Sequence, residues 1–368
     1  MAESTALKEH FGVKLAGDIA GAIRDVHPEF RSGAFVKRLE GELESLELKA
    51  RMGAIARALR DFLPEEYPAA LAVLMEALES GALTNGFTLL ALAQFVENYG
   101  LDHPDPSLQA LYDITKRSSS EFAIRPYLLR YPERTLKLLR RWTGDSSHHV
   151  RRLVSEGTRP RLPWASRLGP FVDDPAPVLE LLELLKDDPS DYVRRSVANN
   201  LNDIGKDHPD ILLETARRWS PDATPERARI IAHALRSLVK QGNQDALAIL
   251  GFGGNEITLR DLRLSPALMR MNDTLSFSFS LHSHAAAEQR LVVDYLIHFV
   301  KASGERSPKV FKMAVRTIDG GGSLALSRRH TIRPITTRRY YSGTHRLEIQ
   351  VNGTIVGGAE FELKAEME

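Results

Sequence analysis

The sequence predicts a mainly α-helical solenoid followed by a C-terminal all-β sandwich, and three observations lead to that fold class. Apolar residues recur at helical spacing up to about residue 250. One short motif returns several times within that helical part. Beyond it the apolar period changes from near 3.6 to near 2, which is the period of a strand with one buried face.

The helical part consists of short helices, because start and stop signals follow one another closely. Leu71, Leu74 and Leu78 illustrate the spacing of one apolar face. Prolines, among them Pro104 and Pro209, interrupt the pattern along the whole helical part. Short helices with short connections predict antiparallel neighbours.

The repeated motif is VRRLV at Val150–Val154, which returns as VRRSV at Val193–Val197. Weaker copies begin at Ile124 and Ala228. The motif resembles the second helix of a HEAT repeat, whose helix pairs stack into a curved solenoid. We expect its valines to face the neighbouring repeat and its arginines to line a concave surface. The alternative is a generic helical bundle in which the motif recurs by chance.

The C-terminal part contains alternating apolar runs that predict about seven strands. The Asn352-Gly353 pair is a hairpin signal between two of these runs. Such strands predict a compact Ig-like sandwich without the cysteine pair of antibody domains. The glycine-rich segment Gly251–Gly254 marks the boundary, so we expect a helical domain at 1–252 and a sandwich at 257–368. The runs are Leu275–Leu281, Leu291–Phe299, Phe311–Val315, Leu324–Leu326, Leu347–Val351 and Phe361–Leu363.

Composition places the chain among globular proteins. Of its 368 residues, 43% are apolar and 26% are charged, and cysteine is absent. The lack of cysteine excludes disulfides, thiol nucleophiles and cysteine-ligated metals, and it favours a reducing cytoplasm. We find no signal-peptide pattern at the N-terminus and no apolar run of the roughly 20 residues that span a bilayer. GxxxxGK, HExxH and GxSxG motifs are absent as well, so we expect no cofactor and no metal.

The net charge of +1 conceals a strongly uneven distribution of charge. From Asp61 to Thr115 there are nine acidic residues and no Lys or Arg. From Lys116 to Pro170 there are thirteen basic residues against four acids, and from Lys301 to Gln350 eleven against three. The two basic segments predict a polyanion partner, and the acidic segment is expected to face away from it.

One block within the first basic segment combines an acid, arginines and a tryptophan. Glu156 is one of the four acids there, and Gly157 ends its helix, so the carboxylate is expected to stand at a helix end beside arginines. Trp164 follows in a proline-bounded loop, where its ring need not fill the core. The alternative is that Glu156 only pairs with Arg152 and that Trp164 only caps the solenoid.

Two further acids occupy related places in neighbouring repeats. Glu121 follows three serines in the preceding repeat, and Asp203 lies in the following one. Three acids from three successive repeats could therefore converge on the basic face. Taken singly, each acid is more commonly a helix cap or a solvated surface residue.

The segments VRRLVSEGTRPRLPW and SDYVRRSVANNLNDIGKDHPD resemble the HEAT-like repeat DNA glycosylases of bacterial alkylation repair. With the appended sandwich, the chain is similar to the AlkC branch of that family. The resemblance implies hydrolysis of the N-glycosidic bond of cationic alkylated bases, 3-methyladenine and 3-methylcytosine, without flipping of the base. It also implies that Glu121, Glu156 and Asp203 are the catalytic acids and that Trp164 contacts the deoxyribose.

The basic residues are the expected contacts to double-stranded DNA, and they carry little sequence information because they bind phosphate. We expect no membrane and no obligate protein partner, and we expect a monomer. A monofunctional glycosylase without lyase activity is predicted, because no lysine is expected beside the carboxylates. The alternatives are a non-catalytic scaffold for a protein partner, a DNA binder that has lost catalysis, and, for the sandwich arginines, a merely solvated surface. The predicted phosphate contacts are Arg151, Arg152, Arg159, Arg161, Arg194, Lys206, Arg328, Arg329, Arg338 and Arg339.

Overall fold

The computed structural model describes residues 7–84, 86–253, 256–335 and 338–365. Within them, sixteen α-helices precede eight β-strands, and two short 3₁₀ helices lie at Leu7–His10 and Leu43–Ser45. The predicted fold class is confirmed. The helices are α1 Val13–Val26, α2 Ser32–Leu39, α3 Leu48–Phe62, α4 Tyr67–Glu79, α5 Gly86–Tyr99, α6 Pro104–Thr115, α7 Arg125–Arg130, α8 Pro132–Trp142, α9 His148–Gly157, α10 Gly169–Asp173, α11 Ala176–Leu185, α12 Asp191–Ile204, α13 Pro209–Trp219, α14 Pro225–Ala234, α15 Arg236–Lys240 and α16 Gln244–Ile249.

The two strong copies of the repeated motif lie on α9 and α12, which pack against each other. Val150 and Val193 are fully buried at their contact faces, as the helical period predicts. An aspartate turn precedes each helix, because Asp145 and Asp188 each accept a hydrogen bond from the backbone N–H two residues later. The repeat is therefore a structural unit of turn and helix.

The strands form two sheets. The first has the order β1-β3-β6, and the second has the order β2-β8-β7-β4-β5. All pairings are antiparallel except that of β2 with β8. A shared apolar core is contributed mainly by β3, β4 and β7. The strands are β1 Ile257–Ser265, β2 Leu268–Arg270, β3 Thr274–Ser283, β4 Gln289–Val300, β5 Arg306–Ile318, β6 Ser323–Thr331, β7 Gly343–Val351 and β8 Thr354–Lys364.

Strands β1 and β2 lie outside the alternating runs that the sequence shows. A register shift between Arg260 and Arg263 interrupts β1, and Asp261 within it has a φ of +54°. Such a bulge breaks the alternation on which the prediction depends. Strand β2 has only three residues, too few for a periodic signal.

The predicted hairpin at Asn352-Gly353 is confirmed, since φ is +45° and +79° at these residues and the turn joins β7 to β8. Gly353 also lies against the backbone of Gly242, where an added Cβ would be 2.6 Å from the Gly242 Cα. The turn therefore requires glycine for its conformation and for the close approach.

Residue contacts divide the chain into two compact units. The first runs to His208 and includes Thr224–Ala234, and the second contains Pro209–Ala223 and the chain from Leu235 onward. Gly254 of the predicted boundary lies outside the described residues, and the division into 1–252 and 257–368 stays a prediction. In the described ranges, no helix combines the length and apolarity needed to cross a bilayer.

Candidate active site

Two of the three predicted acids lie at the C-terminal ends of helices in the first unit, and the third lies in a turn. Glu121 belongs to the turn before α7, Glu156 is the penultimate residue of α9, and Asp203 is the penultimate residue of α12. The packing of α9 against α12 brings the last two together. The convergence is thus a consequence of repeat stacking.

Glu156 is a buried carboxylate with partners at both oxygens. Arg159 Nη1 donates to Oε1 at 2.8 Å, and Ser196 Oγ donates to Oε2 at 2.6 Å. Arg152 Nη2 lies 3.4 Å from Oε1, so the pairing expected in the simpler alternative is present as well. The side chains of Arg152, Arg159 and Ser196 therefore hold Glu156 in one orientation.

Asp203 is the most buried of the three acids, with 1% of its surface exposed. Arg159 Nε donates to Oδ2 at 2.7 Å, and Lys206 Nζ donates to Oδ1 at 2.7 Å. Arg159 therefore joins Asp203 to Glu156. Burial alone lowers the pKa of Arg159, but the hydrogen bond to Asp203 and the two carboxylate charges outweigh it and leave that pKa raised.

Glu121 is the most accessible of the acids, with 17% of its side chain exposed. Its Oε2 accepts hydrogen bonds from Ser119 Oγ at 2.6 Å and from Arg152 Nη1. Its Oε1 has no hydrogen-bond partner in the described part of the chain. Arg152, whose guanidinium lies 5.0 Å from the Tyr192 ring centre, thus connects Glu121 to Glu156.

Trp164 lies in the loop between α9 and α10 and is 69% exposed. Its φ of +64° is uncommon for a bulky residue and places the backbone in the left-handed region. Conformations of this kind persist where the surrounding structure enforces them, and they cluster at functional sites. The ring is thereby presented to solvent, as the proline-bounded loop predicts.

Sequence interpretation missed Ser119 and Ser196, which bind the acids, and Tyr192, which lies against Arg152. Ser196 occupies the place in VRRSV that Leu153 occupies in VRRLV. A hydroxyl in an otherwise apolar, buried position needs a hydrogen-bond partner. The replacement of leucine by serine between the two repeats therefore indicated a buried hydrogen-bond acceptor, and the structure shows that this acceptor is Glu156.

The first arginine of each motif has a structural role that argues against the predicted phosphate contact. Arg151 forms two hydrogen bonds to Asp188, at 2.6 and 3.0 Å, and binds the carbonyls of Asp145 and Ser146. Arg194 binds the equivalent loop carbonyls one repeat later. Both guanidiniums have intramolecular partners, which the charge pattern alone could not reveal.

The other predicted phosphate contacts in the helical unit also form ion pairs. Arg152 and Arg159 hold the acids, and Arg161 forms a two-point ion pair with Asp207 that raises its pKa. The expectation that no lysine stands beside the carboxylates is wrong, because Lys206 contacts Asp203. The structure adds Arg195, whose side chain is 67% exposed, as a surface cation that sequence interpretation passed over.

The four predicted sandwich arginines line two grooves. Arg328 and Arg329 are exposed neighbours on β6, and successive residues of a strand point to opposite faces. Arg338 lies over the Phe299 ring, 4.2 Å from its centre, and Arg339 lies 5.6 Å from the centre of the Tyr341 ring. Two grooves of 510 and 430 Å³ are lined by the first and second pair, respectively.

Replacing Arg151 by methionine is expected to lower the free energy of unfolding by about 3–5 kcal/mol, because it leaves Asp188 buried without its partner. Urea denaturation measures this change. Arg195→Met is the control, and its exposed ion pair should contribute no more than about 1 kcal/mol. An Arg151→Met protein of native stability whose DNA binding depends less on salt would instead identify Arg151 as a phosphate contact.

The fold and the site together define a helical-repeat protein with a buried network of carboxylates and arginines and a C-terminal Ig-like sandwich. The family model "Uncharacterised protein YhaZ, C-terminal Ig-like domain" matches residues 258–365. The uncharacterized protein YhaZ of Bacillus subtilis strain 168 is 38% identical over 359 residues, 97% of this chain and 99% of its own.

A solved structure extends the similarity to the whole fold. It is the alkylpurine DNA glycosylase AlkC of Pseudomonas fluorescens, bound to DNA containing an abasic-site analogue. The identity is 42% and the TM-score 0.93, with 98% of this chain and 100% of that chain covered. The chain therefore belongs to the AlkC family of alkylpurine DNA glycosylases, as the sequence motifs predict.

Proposed function

We propose that this protein is a DNA glycosylase that hydrolyses the N-glycosidic bond of cationic alkylated bases, 3-methyladenine and 3-methylcytosine, in double-stranded DNA. The observation that carries the proposal is the joining of Glu121, Glu156 and Asp203 into one network, in a chain similar throughout to an AlkC glycosylase. Trp164 supports it as an exposed aromatic ring in the loop that follows Glu156.

The chemistry suits a site made of carboxylates. Alkylation at N3 gives the base a positive charge, so it leaves without protonation by a general acid. As the bond breaks, positive charge develops on the deoxyribose, and fixed carboxylates stabilise that charge. An aromatic face against the sugar adds about 1–2 kcal/mol of cation–π attraction as the charge develops. A neutral base would not leave, so selectivity follows from the lesion itself.

The three acids differ in what they can do. Glu121 has the carboxylate oxygen without a partner among the described residues, so we assign it the orientation of the attacking water. Glu156, held on both oxygens, supplies fixed negative charge. Asp203 is enclosed by Arg159 and Lys206 and acts by positioning Arg159. This division of roles follows from the Glu121 oxygen that has no partner among the described residues and from the burial of Glu156 and Asp203.

The exposure of Trp164 also supports excision without flipping of the base. A flipped base needs an enclosing pocket. Trp164 lies on the open surface, and Glu156 and Asp203 are closed off by their ion pairs. We infer that the lesion stays in the duplex while its deoxyribose meets Glu121 and Trp164.

Electrostatic attraction brings the duplex to the site. We propose that Arg161, Lys206 and Arg195 contribute in the helical unit, together with Arg328, Arg329, Arg338 and Arg339 in the sandwich. The contacts among the proposed active-site residues need no second copy of the chain, and we propose that the enzyme acts as a monomer on nucleoid DNA in the cytoplasm. Its affinity for DNA should fall steeply with salt.

Base release from duplexes carrying 3-methyladenine or 3-methylcytosine tests the proposed function. We expect free base and an intact abasic strand from the native protein. A cleaved strand, with a borohydride-trapped DNA adduct that disappears in Lys206→Arg, would show a lyase step and contradict the monofunctional proposal. No release from these duplexes or from 7-methylguanine DNA would leave a DNA-binding solenoid without this activity.

A further inference from the structure

Arg125 is a buried cation whose side-chain hydrogen bonds all go to backbone carbonyls. Only 5% of its surface is exposed. Nη1 donates to the carbonyl oxygens of Gly157 at 3.1 Å and Arg159 at 2.8 Å, and Nη2 donates to that of Ser166 at 2.7 Å. In the described ranges, no carboxylate lies within ion-pair distance of this guanidinium. Its hydrogen bonds therefore hold the backbone at these three residues in place.

The three carbonyls belong to the segments that carry the proposed site. Gly157 directly follows Glu156, and the side chain of Arg159 joins Glu156 to Asp203. Ser166 lies two residues after Trp164, so one guanidinium binds the Trp164 loop on both sides.

The backbone of Arg125 supplies the fourth connection, because it continues the turn that contains Glu121. Arg125 N donates to the Phe122 carbonyl at 3.2 Å within that turn. Gly157 lies so close to it that an added Cβ would be 2.6 Å from Ile124 Cγ2. This contact between the end of α9 and the turn brings the Gly157 carbonyl within reach of Arg125.

We propose that Arg125 is a positioning residue that fixes the Trp164 loop and the Glu156–Arg159 segment relative to Glu121, an inference that rests on the proposed function. It touches neither substrate nor acid. Its planar fork of donors can bind carbonyls on both sides of a loop, whereas the compact ammonium of lysine cannot span them. Burial lowers the pKa of Arg125 to about 10, so the guanidinium is protonated at neutral pH.

Arg51 provides a matched control in the same unit. It is 4% exposed and binds the carbonyls of Leu46, Lys8 and Glu44 at 2.8, 3.0 and 3.4 Å. Arg51→Lys therefore makes the same chemical change at a similarly buried arginine bound to carbonyls, away from the proposed acids, with Glu9 3.7 Å from its Nη2 as an additional partner. A purely structural loss should affect both variants alike.

The experiment compares Arg125→Lys with Arg51→Lys in the full chain, using single-turnover base release and fluorine NMR of protein labelled with 5-fluorotryptophan. The chain has three tryptophans, and Trp164→Phe assigns the resonance of Trp164. We expect Arg125→Lys to lower the rate constant of release about 10-fold or more and to leave affinity for abasic-analogue DNA within about twofold. The Trp164 resonance should shift, while those of buried Trp142 and Trp219 stay in place. Arg51→Lys should change none of these quantities.

An unchanged rate and Trp164 resonance in Arg125→Lys would overturn the proposal, and so would equal losses in the two variants. If Arg125→Lys does not fold, Gly157→Ala displaces the same carbonyl while keeping the guanidinium, and the same shift is expected. Absence of base release by the native protein would refute the proposed function. The Trp164 resonance would still decide whether Arg125 holds the loop.

Discussion

Glu156→Gln is expected to reduce base release at least about 100-fold while leaving the affinity for abasic-analogue DNA unchanged or slightly higher. The substitution removes fixed negative charge from the network that joins Glu156 to Glu121, beside which, on our proposal, positive charge develops on the sugar. Glutamine keeps an oxygen that can accept from Ser196 or Arg159, while the lost charge is also expected to lower the free energy of unfolding, which urea denaturation measures separately. Single-turnover kinetics and an equilibrium binding assay measure the two effects.

Glu133→Gln is the control for this substitution. Glu133 lies in the same basic segment and is exposed, so its replacement changes the net charge by the same amount without touching the site. It should leave base release within about twofold of native. A Glu156→Gln protein that releases base at the native rate would remove Glu156 from the mechanism.

Much of the fold was predictable because packing imposes a period on the sequence. Val150 and Val193 are buried where their repeat predicts, and the Asn352-Gly353 turn has the conformation that its residues favour. Strand β1 escaped prediction because the bulge at Asp261 shifts its alternation. Periodicity fails where the backbone departs from a regular ladder.

The arginines show a different limit of the sequence. Arg151 and its partner Asp188 are 37 residues apart, and nothing local distinguishes this buried ion pair from a free surface charge. Arg125 belongs to a weak copy of the same motif, and its carbonyl partners carry no side-chain signature at all. Charge can be counted from a sequence, but its neutralisation depends on contacts between repeats.

The positions of the acids were predictable for a related reason. Glu156 and Asp203 are the penultimate residues of α9 and α12, and the packing of these two helices places them together. Their burial was not predictable, because it depends on Arg159 reaching both carboxylates. Glu121 pairs with Arg152 instead and stays partly exposed, which separates a carboxylate available to substrate from the two that Arg159 holds.

Glu121→Gln tests this separation. We expect base release to fall about 100-fold with a smaller loss of unfolding free energy than in Asp203→Asn, because Glu121 lies on a turn and is less buried than Asp203. Urea denaturation and single-turnover release measure both quantities. Asp203→Asn should instead lower the unfolding free energy by about 3 kcal/mol or more, because the positive charges of Arg159 and Lys206 lose the negative charge of Asp203.

Azide distinguishes water orientation by Glu121 from stabilisation of charge alone. A small nucleophile that needs no general base should restore release in Glu121→Gln and form a glycosyl azide, but it should not restore release in Glu156→Gln. Equal failure of azide in both variants would show that Glu121 acts only through its charge. The Oε1 of Glu121 has no hydrogen-bond partner among the described residues, while Ser119 and Arg152 fix its Oε2, and this geometry favours the first outcome.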